Sequence, residues 1–284
     1  MPLTQDAPAK INLGLHVLRR RPDGYHDIET VFHRIDWADT ITAAPAESLS
    51  LTCSDPSLPT DADNLCLQAA HRLATAFDVT RGAELHLEKR VPYGAGLGSG
   101  SSDAAATLQL LTRLWGLTPS PEALKEIGGS IGADVPFFLQ DAPAAHATGR
   151  GDTLLPLSKD GALYRLPFSL LVAVPPVEVS TPWAYAQVTP RDASRPDLRR
   201  VVRSNDLSRW REALTNDFES PVADATPAVD AVRTALRDTD AAYVSLSGSG
   251  SAVYGVFEDA RAVRTAREAL ESSDARVHVM PATE

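Results

Sequence analysis

The sequence predicts a mixed α+β protein of two lobes. Three observations point there. A chain of 284 residues at 43% apolar composition can bury one large core or two modest ones. Strand-like alternation opens the chain, and helical and strand-like periodicities then interleave through both halves with no internal repeat. The pattern changes past about residue 150, which sets the expected division at 1–158 and 159–284.

From Ala9 to Val17 apolar residues alternate with Lys10, Asn12, Gly14 and His16, the signature of a half-buried strand. Arg20-Arg21-Pro22-Asp23-Gly24 supplies a turn, and Asp27 to Ile41 continues as extended chain, so an antiparallel sheet is expected. Asn64 to Phe77 has helical spacing, and Leu85 to Val91 alternates again before Pro92. Ser102 to Trp115 is rich in Ala and Leu and ends on Gly116, and Pro121 to Ile131 reads as a further helix. The second half predicts strands at Leu170 to Val174, Val244 to Leu246 and Val253 to Phe257. Helices are expected at Asp206 to Thr215, Ala228 to Arg237 and Ala260 to Ser272, and a surface loop at the Pro- and Arg-rich stretch Thr189 to Arg200.

Composition narrows the function. The 27 basic and 37 acidic residues give a formal charge of −10, which speaks against nucleic acid or an anionic membrane as main partner. Any phosphate site must be local, and only four lysines, Lys10, Lys89, Lys125 and Lys159, are available to it. Two cysteines, Cys53 and Cys66, make neither a disulfide framework nor a metal cluster, as in a reducing compartment. Met1 to Asp6 lacks the basic start of a secretion signal, and the apolar run Phe168 to Val174 is strand-sized. A cytoplasmic protein is expected.

The segment Val91-Pro92-Tyr93-Gly94-Ala95-Gly96-Leu97-Gly98-Ser99-Gly100-Ser101-Ser102 follows a strand and opens a helix. Glycines on alternate positions let backbone N–H groups converge on one point, and the helix start adds unpaired donors and a positive dipole end, so a triphosphate fits. Ser101 and Ser102 could add hydroxyls or coordinate magnesium. It is not a Walker A loop, because no Gly-Lys-Ser/Thr follows, nor a Rossmann or protein-kinase loop, because Ser99 stands where the third glycine would be. The other reading is a flexible turn whose Ser101, Ser102 and Asp103 cap a helix. A second Gly/Ser segment, Ser245 to Ser251, taken alone reads as a tight turn between strands.

Asp134 sits in Ile131-Gly132-Ala133-Asp134-Val135-Pro136-Phe137-Phe138-Leu139, where nearly every neighbour is apolar. An ionised carboxylate there calls for a cation or a cleft, and Lys10 is the best available cation. Asn12 shares the Lys10 face, roughly 7 Å along the strand. Both could line a cleft, or both could stand on the solvated face of an amphipathic strand, while Asp134 could equally serve a structural ion pair.

In this order the motifs resemble the GHMP kinase superfamily: a lysine-bearing first strand, Pro-x-Gly-x-Gly-Leu-Gly-x-Gly-Ser-Ser from Pro92 to Ser102, and a C-terminal Gly-rich loop. Ala9-Lys10-Ile11-Asn12-Leu13, Pro22-Asp23-Gly24-Tyr25-His26 and Ile131 to Pro136 resemble the branch that phosphorylates a cytidine diphosphate-linked methylerythritol. The resemblance implies a ribosomal protein S5 domain 2-like N-terminal lobe that binds ATP and a ferredoxin-like C-terminal lobe. ATP, Mg²⁺ and the cytidyl substrate are expected in the cleft between lobes, with phosphate passing to the tertiary 2-hydroxyl. By the same resemblance Lys10 and Asp134 are catalytic, Lys10 holding Asp134. Asn12, Tyr25, His26, Thr181 and Tyr185 bind substrate, the two tyrosines sandwiching cytosine. Nucleotide contacts fall to Asn64, Lys89, Pro92, Gly94, Ala95, Gly96, Leu97, Gly98, Ser99, Gly100, Ser101 and Ser102, with Ser101 the metal candidate. Asn64 also reads as a helix cap, and Lys89 as an edge-strand charge. Ala95, Ser99 and Ala186 depart from the family pattern; Ser99 would crowd the phosphate path, and Ala186 replaces a basic residue. Other kinases of the superfamily, for mevalonate or homoserine, and a non-catalytic nucleotide sensor are the competing readings. The protein is expected as a monomer or weak homodimer.

Overall fold

Two long strands, β1 (Leu3–Arg20) and β2 (His26–Ala46), open the chain and pair with each other. The computed structural model describes residues 2–271 and 273–282. It divides into two compact units whose segments alternate along the sequence. Unit 1 takes the N-terminal residues to Ala9, Asp36–Tyr93 and Gly98–Asp141, and unit 2 takes Lys10–Ile35, Gly94–Leu97 and the chain from Ala142 onward. A contiguous division at 158/159 differs from this because β1 and β2 each give residues to both units.

Unit 1 adds β3 (Leu49–Cys53), α1 (Leu65–Ala76), β4 (Gly82–Glu88), α2 (Ser99–Trp115), α3 (Pro121–Ile131) and α4 (Val135–Phe138). β4 lies antiparallel to β2 from Thr40↔Glu88 to Ala46↔Gly82 and parallel to β3. α1 packs on α2, and both α2 and α3 pack on α4. α2 starts three residues before the expected Ser102 and stops at Gly116, whose φ of 65° is the left-handed cap that glycine adopts without penalty.

Unit 2 adds β5 (Ala144–Thr148), β6 (Thr153–Pro156), β7 (Ser158–Lys159), β8 (Ala162–Leu163), β9 (Ser169–Val174), α5 (Thr181–Gln187), α6 (Leu198–Ser204), α7 (Leu207–Ala213), α8 (Glu219–Ala225), α9 (Pro227–Arg237), β10 (Tyr243–Leu246), β11 (Val253–Phe257), α10 (Ala260–Ala269) and β12 (Arg276–Met280). The antiparallel sheet runs β10-β11-β9-β12, and β9 is buried along its whole length. Leu171, Ala173, Val253 and Phe257 from this sheet pack with Val232 and Leu236 of α9 and Val263 and Ala266 of α10. At about 25 cal/mol per Å² of apolar area removed from water, such a core is the main favourable contribution to folding.

Three expectations need correction. Thr189 to Asp197 is the expected surface loop, but residues 198–200 open α6. Arg195 forms a two-pronged ion pair with Asp217 at 2.6 and 2.9 Å, and Asp197 caps α6 by accepting from Arg199 N and Arg200 N. β1 is not half-buried: Lys10, Asn12 and His16 are as enclosed as the apolar face. Ser272, the expected end of the last helix, lies outside the described residues, and α10 ends at Ala269. Among the described residues no helix is long and apolar enough to cross a membrane.

Candidate active site

In unit 2 the first strand, the glycine loop and the C-terminal Gly/Ser loop meet. Lys10 is 4% exposed, and its Nζ donates to Asn12 Oδ1 at 2.7 Å and to the Gly96 carbonyl at 3.0 Å, with the Phe32 ring 5.1 Å away. Ser247 Oγ donates to the same carbonyl at 3.0 Å and accepts from Asn12 N at 3.3 Å. Asn12 Nδ2 donates to Thr30 Oγ1, which donates to the Gly14 carbonyl. The Asn12 side chain is thus buried and engaged by Lys10 and Thr30. It orients Lys10. A buried ammonium costs several kcal/mol unless its donors are satisfied, and this network gives acceptors to two of the three.

Gly94, Gly96 and Gly98 have φ of 70°, 79° and 67°. At Gly96 the requirement is absolute, since an added Cβ would lie 2.1 Å from the Ser247 carbonyl oxygen. Ala95 and Leu97 are buried, so these positions can offer only backbone; the Ala95 carbonyl already accepts from Ala252 N, and the Leu97 carbonyl from Lys10 N. The segment Ser245 to Ser251, expected as a tight turn, does join β10 to β11 but also supplies Ser247 to this network.

In unit 1, Gly98 is the N-cap of α2, which has no side-chain cap. Its first backbone bond runs from Ser102 N to the Gly98 carbonyl at 3.0 Å, so the amides of the first turn have no partner within the helix. That is the arrangement an anion meets at a helix start, and it favours phosphate over the capping reading. Ser99 does not crowd that end: it is buried, with its Oγ turned back 3.5 Å from the Pro92 carbonyl. Ser102 is corrected too, because its hydroxyl donates to the Pro8 carbonyl at 2.7 Å in a buried position and is not open to phosphate or metal. Ser101 is half-buried, and Gly100 packs near the Tyr93 ring. Among the described residues no group of three or more His, Cys, Asp or Glu could hold a metal. Of the two serines expected at the metal, Ser101 is the one whose hydroxyl makes no bond to the protein backbone among the described residues.

A small cavity of unit 1 is lined by Pro59, Asn64, Leu65, Leu87, Tyr93 and Asp103, among others. Asn64 builds its wall as the cap of α1, accepting from Cys66 N at 2.9 Å and donating to the Pro59 carbonyl at 2.7 Å. Lys89 is no edge-strand charge, nor does it line this cavity. Its Nζ is buried 2.6 Å from Asp39 Oδ2 and 2.9 Å from Asp103 Oδ2, and Asp39 Oδ1 accepts from Arg90 N and Val91 N. Burial pushes the Asp103 carboxyl up to about 7; the pull of Lys89 opposes this and the Asp39 charge adds to it. Lys89→Met leaves these carboxylates buried without their cation and is expected to cost about 3–5 kcal/mol of stability in chemical denaturation. A loss under about 1 kcal/mol would contradict the ion cluster as a holder of the chain leading into the loop.

A cavity of about 570 Å³ in unit 2 gathers Tyr25, His26, Arg150, Thr181, Tyr185 and Ala186 among its lining residues. Tyr25 is 58% exposed, with the Arg150 guanidinium 5.2 Å from its ring centre. Tyr185 is stacked on His26 at 4.8 Å and 17°, and meets Phe218 edge-on at 4.8 Å. Thr181 and Ser249 hydroxyls lie 3.0 Å apart. Burial, then the Arg20 charge, holds His26 below the usual imidazole range, so the ring is neutral near pH 7 and can both donate and accept. Arg20 and Arg150 line the same cavity and bring positive charge to the side where Ala186 has none.

Asp134, in unit 1, is the N-cap of α4 yet makes no capping bond. It is half-buried, less enclosed than its neighbours suggested, while Val135, Pro136, Phe137 and Phe138 beside it are fully buried. Bonds from Val135 N to the Gly132 carbonyl and from Phe137 N to the Asp134 carbonyl fix its backbone.

A mixed α+β chain whose long helix opens on an uncapped, glycine-led turn has a helix start suited to a phosphate group. Family models give the class: residues 64–142 match the GHMP kinases N terminal domain, and residues 195–275 the GHMP kinases C terminal domain. The chain belongs to the GHMP kinase family. It is 78% identical over 282 residues to 4-diphosphocytidyl-2-C-methyl-D-erythritol kinase of Salinibacter ruber, covering 99% of each chain. To the protein of the same name from Chlorobium limicola it is 44% identical, covering 91% of this chain and 89% of that one. It is similar to a crystal structure of 4-(cytidine 5'-diphospho)-2C-methyl-D-erythritol kinase, with a TM-score of 0.81 at 34% identity, covering 99% of this chain and all of that one.

Proposed function

We infer that this kinase transfers the γ-phosphate of ATP to the 2-hydroxyl of 4-diphosphocytidyl-2-C-methyl-D-erythritol, a step of the non-mevalonate route to isoprenoid precursors. The observation that carries the reading is the cavity around Tyr25, His26 and Tyr185. Aromatic faces and a neutral imidazole suit a flat base with a hydrogen-bonding edge, and neither mevalonate nor homoserine has a ring to stack. The full-length likeness to kinases named for this substrate supports the same conclusion. The charge of −10 and the two unpaired cysteines support a cytoplasmic enzyme acting on small molecules rather than on nucleic acid or a membrane.

Phosphoryl transfer through a loose transition state asks the protein for position and charge neutralisation more than for covalent chemistry. The first-turn amides of α2 would hold the nucleotide's phosphates, and Mg²⁺ bound to those phosphates would neutralise part of their charge. Lys10, fixed by Asn12 and the Gly96 carbonyl, neutralises charge that develops on the transferred group. Asp134 accepts the hydrogen bond of the acceptor hydroxyl. A tertiary alcohol is a weak acid and a loose transition state needs little nucleophile activation, so Asp134 acts first as an orienter.

The direct test is ³¹P NMR of a mixture of enzyme, MgATP and the cytidyl substrate. The γ signal is expected to convert to a phosphomonoester in one-to-one ratio with ADP, and only when the substrate is present. Release of orthophosphate alone, or no ATP consumption, would overturn the reading, the second outcome in favour of a nucleotide sensor. Tyr185→Ala removes the stacking face, and the KM for the cytidyl substrate is expected to rise about tenfold with the KM for ATP unchanged. An unchanged KM for the cytidyl substrate would contradict the base-binding role of this cavity.

A further inference from the structure

Unit 2 carries a second concavity, of about 430 Å³, that shares no lining residue with the cavity around Tyr185. Four cationic side chains line it, Lys159, Arg200, Arg203 and Arg209, against the single carboxylate of Asp160. In a chain with ten more acids than bases, this local excess of positive charge needs a reason.

Four other arginines of the region have carboxylate partners. Arg195 pairs with Asp217, Arg199 with Asp197, Arg233 with Asp230 and Arg237 with Glu219. Among the described residues, none of the four cations of the concavity has such a partner, and the Arg200 and Arg209 side chains make no hydrogen bond either. Two of the four are positioned by the fold. The β7–β8 hairpin turns through Asp160 and Gly161, both at positive φ, and sets Lys159 at its end. With the Asn205 amide turned so that its Nδ2 donates to Tyr164 Oη, Asn205 Oδ1 accepts from Lys159 Nζ at 2.8 Å. Arg203 Nη1 donates to the Ser158 carbonyl at 3.3 Å, which leaves the rest of its guanidinium fork unused.

Converging unpaired cations repel one another, and an anion relieves that repulsion. Two or more guanidinium forks with an ammonium match the oxygens of adjacent phosphate groups better than a single carboxylate. The remaining wall is Ser158 and Ser204, with no aromatic or apolar side chain, so nothing here would grip a base or a hydrocarbon tail.

We propose that Lys159, Arg200, Arg203 and Arg209 form a further anion site of this protein, which takes the diphosphate group of a small molecule. Recognition is through the two phosphates alone, so inorganic diphosphate and the diphosphate of a nucleotide bind it alike.

The test is calorimetric titration of the full chain with inorganic diphosphate at low ionic strength, repeated with ADP. The comparison protein is the double variant Arg200→Gln/Arg209→Gln, which removes two charges that hold nothing else in place. Wild type is expected to show a diphosphate site that the double variant lacks or binds at least about tenfold more weakly. That site should weaken as salt rises, bind ADP within a few-fold of inorganic diphosphate, and bind inorganic phosphate more weakly than either. Turnover of ATP and the acceptor at saturation should be equal in the two proteins, because none of the four residues belongs to the transfer machinery. Titrations that coincide for wild type and double variant would overturn the proposal. So would a site lost in the double variant that takes ADP but not inorganic diphosphate, since the nucleoside would then be what is recognised.

Discussion

Asp134→Asn is expected to lower kcat by about 10³-fold while a non-hydrolysable ATP analogue binds within about twofold of wild type. The substitution is isosteric, and Gly132, Val135 and Phe137 backbone bonds set the turn that carries the residue. What the amide loses is the full negative charge that fixes the acceptor hydroxyl in line with the phosphorus, and with it any ability to take the proton late in transfer. The loss therefore falls on kcat, with the KM for the cytidyl substrate little changed. Stopped-flow binding of the analogue beside steady-state turnover separates these quantities. Near-normal turnover would refute the role, and loss of nucleotide binding would show that Asp134 serves structure.

Gly96→Ala is expected to have a large effect for a single added methyl group. The new Cβ would lie 2.1 Å from the Ser247 carbonyl oxygen and 3.2 Å from Gly250 N, both backbone atoms, on a residue at φ +79°. No rotamer change relieves a clash with backbone, so the loop and the β10–β11 connection must part. A loss of about 3 kcal/mol or more in unfolding free energy follows. The Gly96 carbonyl that anchors both Lys10 Nζ and Ser247 Oγ moves with it, and kcat in the folded fraction is expected to fall about 10²-fold or more through a displaced Lys10. Ala95, whose side chain is already accommodated in the buried loop next door, shows that a methyl group is not excluded there in general. Thermal unfolding and turnover of G96A measure both effects, and wild-type values in either would contradict the three-way contact.

The glycine loop was legible because alternating glycine is itself a statement about backbone: positive φ at Gly94, Gly96 and Gly98 is what the spacing allows. The alternation from Ala9 to Val17 gave a strand but not its environment, since period-two patterning separates faces without saying what covers the polar one. Lys10 and Asn12 turn out buried because Gly96 and Ser247 cover them, and those lie 86 and 235 residues away in sequence. The Lys89 cluster was hidden for the same reason, its partner Asp39 lying 50 residues upstream. Ser99 and Ser102 read as phosphate contacts, but a hydroxyl at a helix start can turn outward or back, and only the Pro92 and Pro8 carbonyls decide. α5 carried a signal that its seven residues made easy to miss: Ser180 caps it by accepting from Trp183 N, and Pro182 follows in the first turn. The interleaving of the two units followed no compositional boundary, because long strands cross between them without a linker.

Cytidine dependence is the feature that separates the proposed reaction from every other alcohol kinase of the family. The measurement that tests it most directly is initial-rate ADP formation with three acceptors at equal concentration: the cytidyl methylerythritol, mevalonate and homoserine. The cytidyl compound is expected to be turned over at least about 10³-fold faster than either of the others, and methylerythritol phosphate without the cytidylyl group should fare no better than they do. Comparable rates with mevalonate or homoserine, or with methylerythritol phosphate, would contradict the assignment.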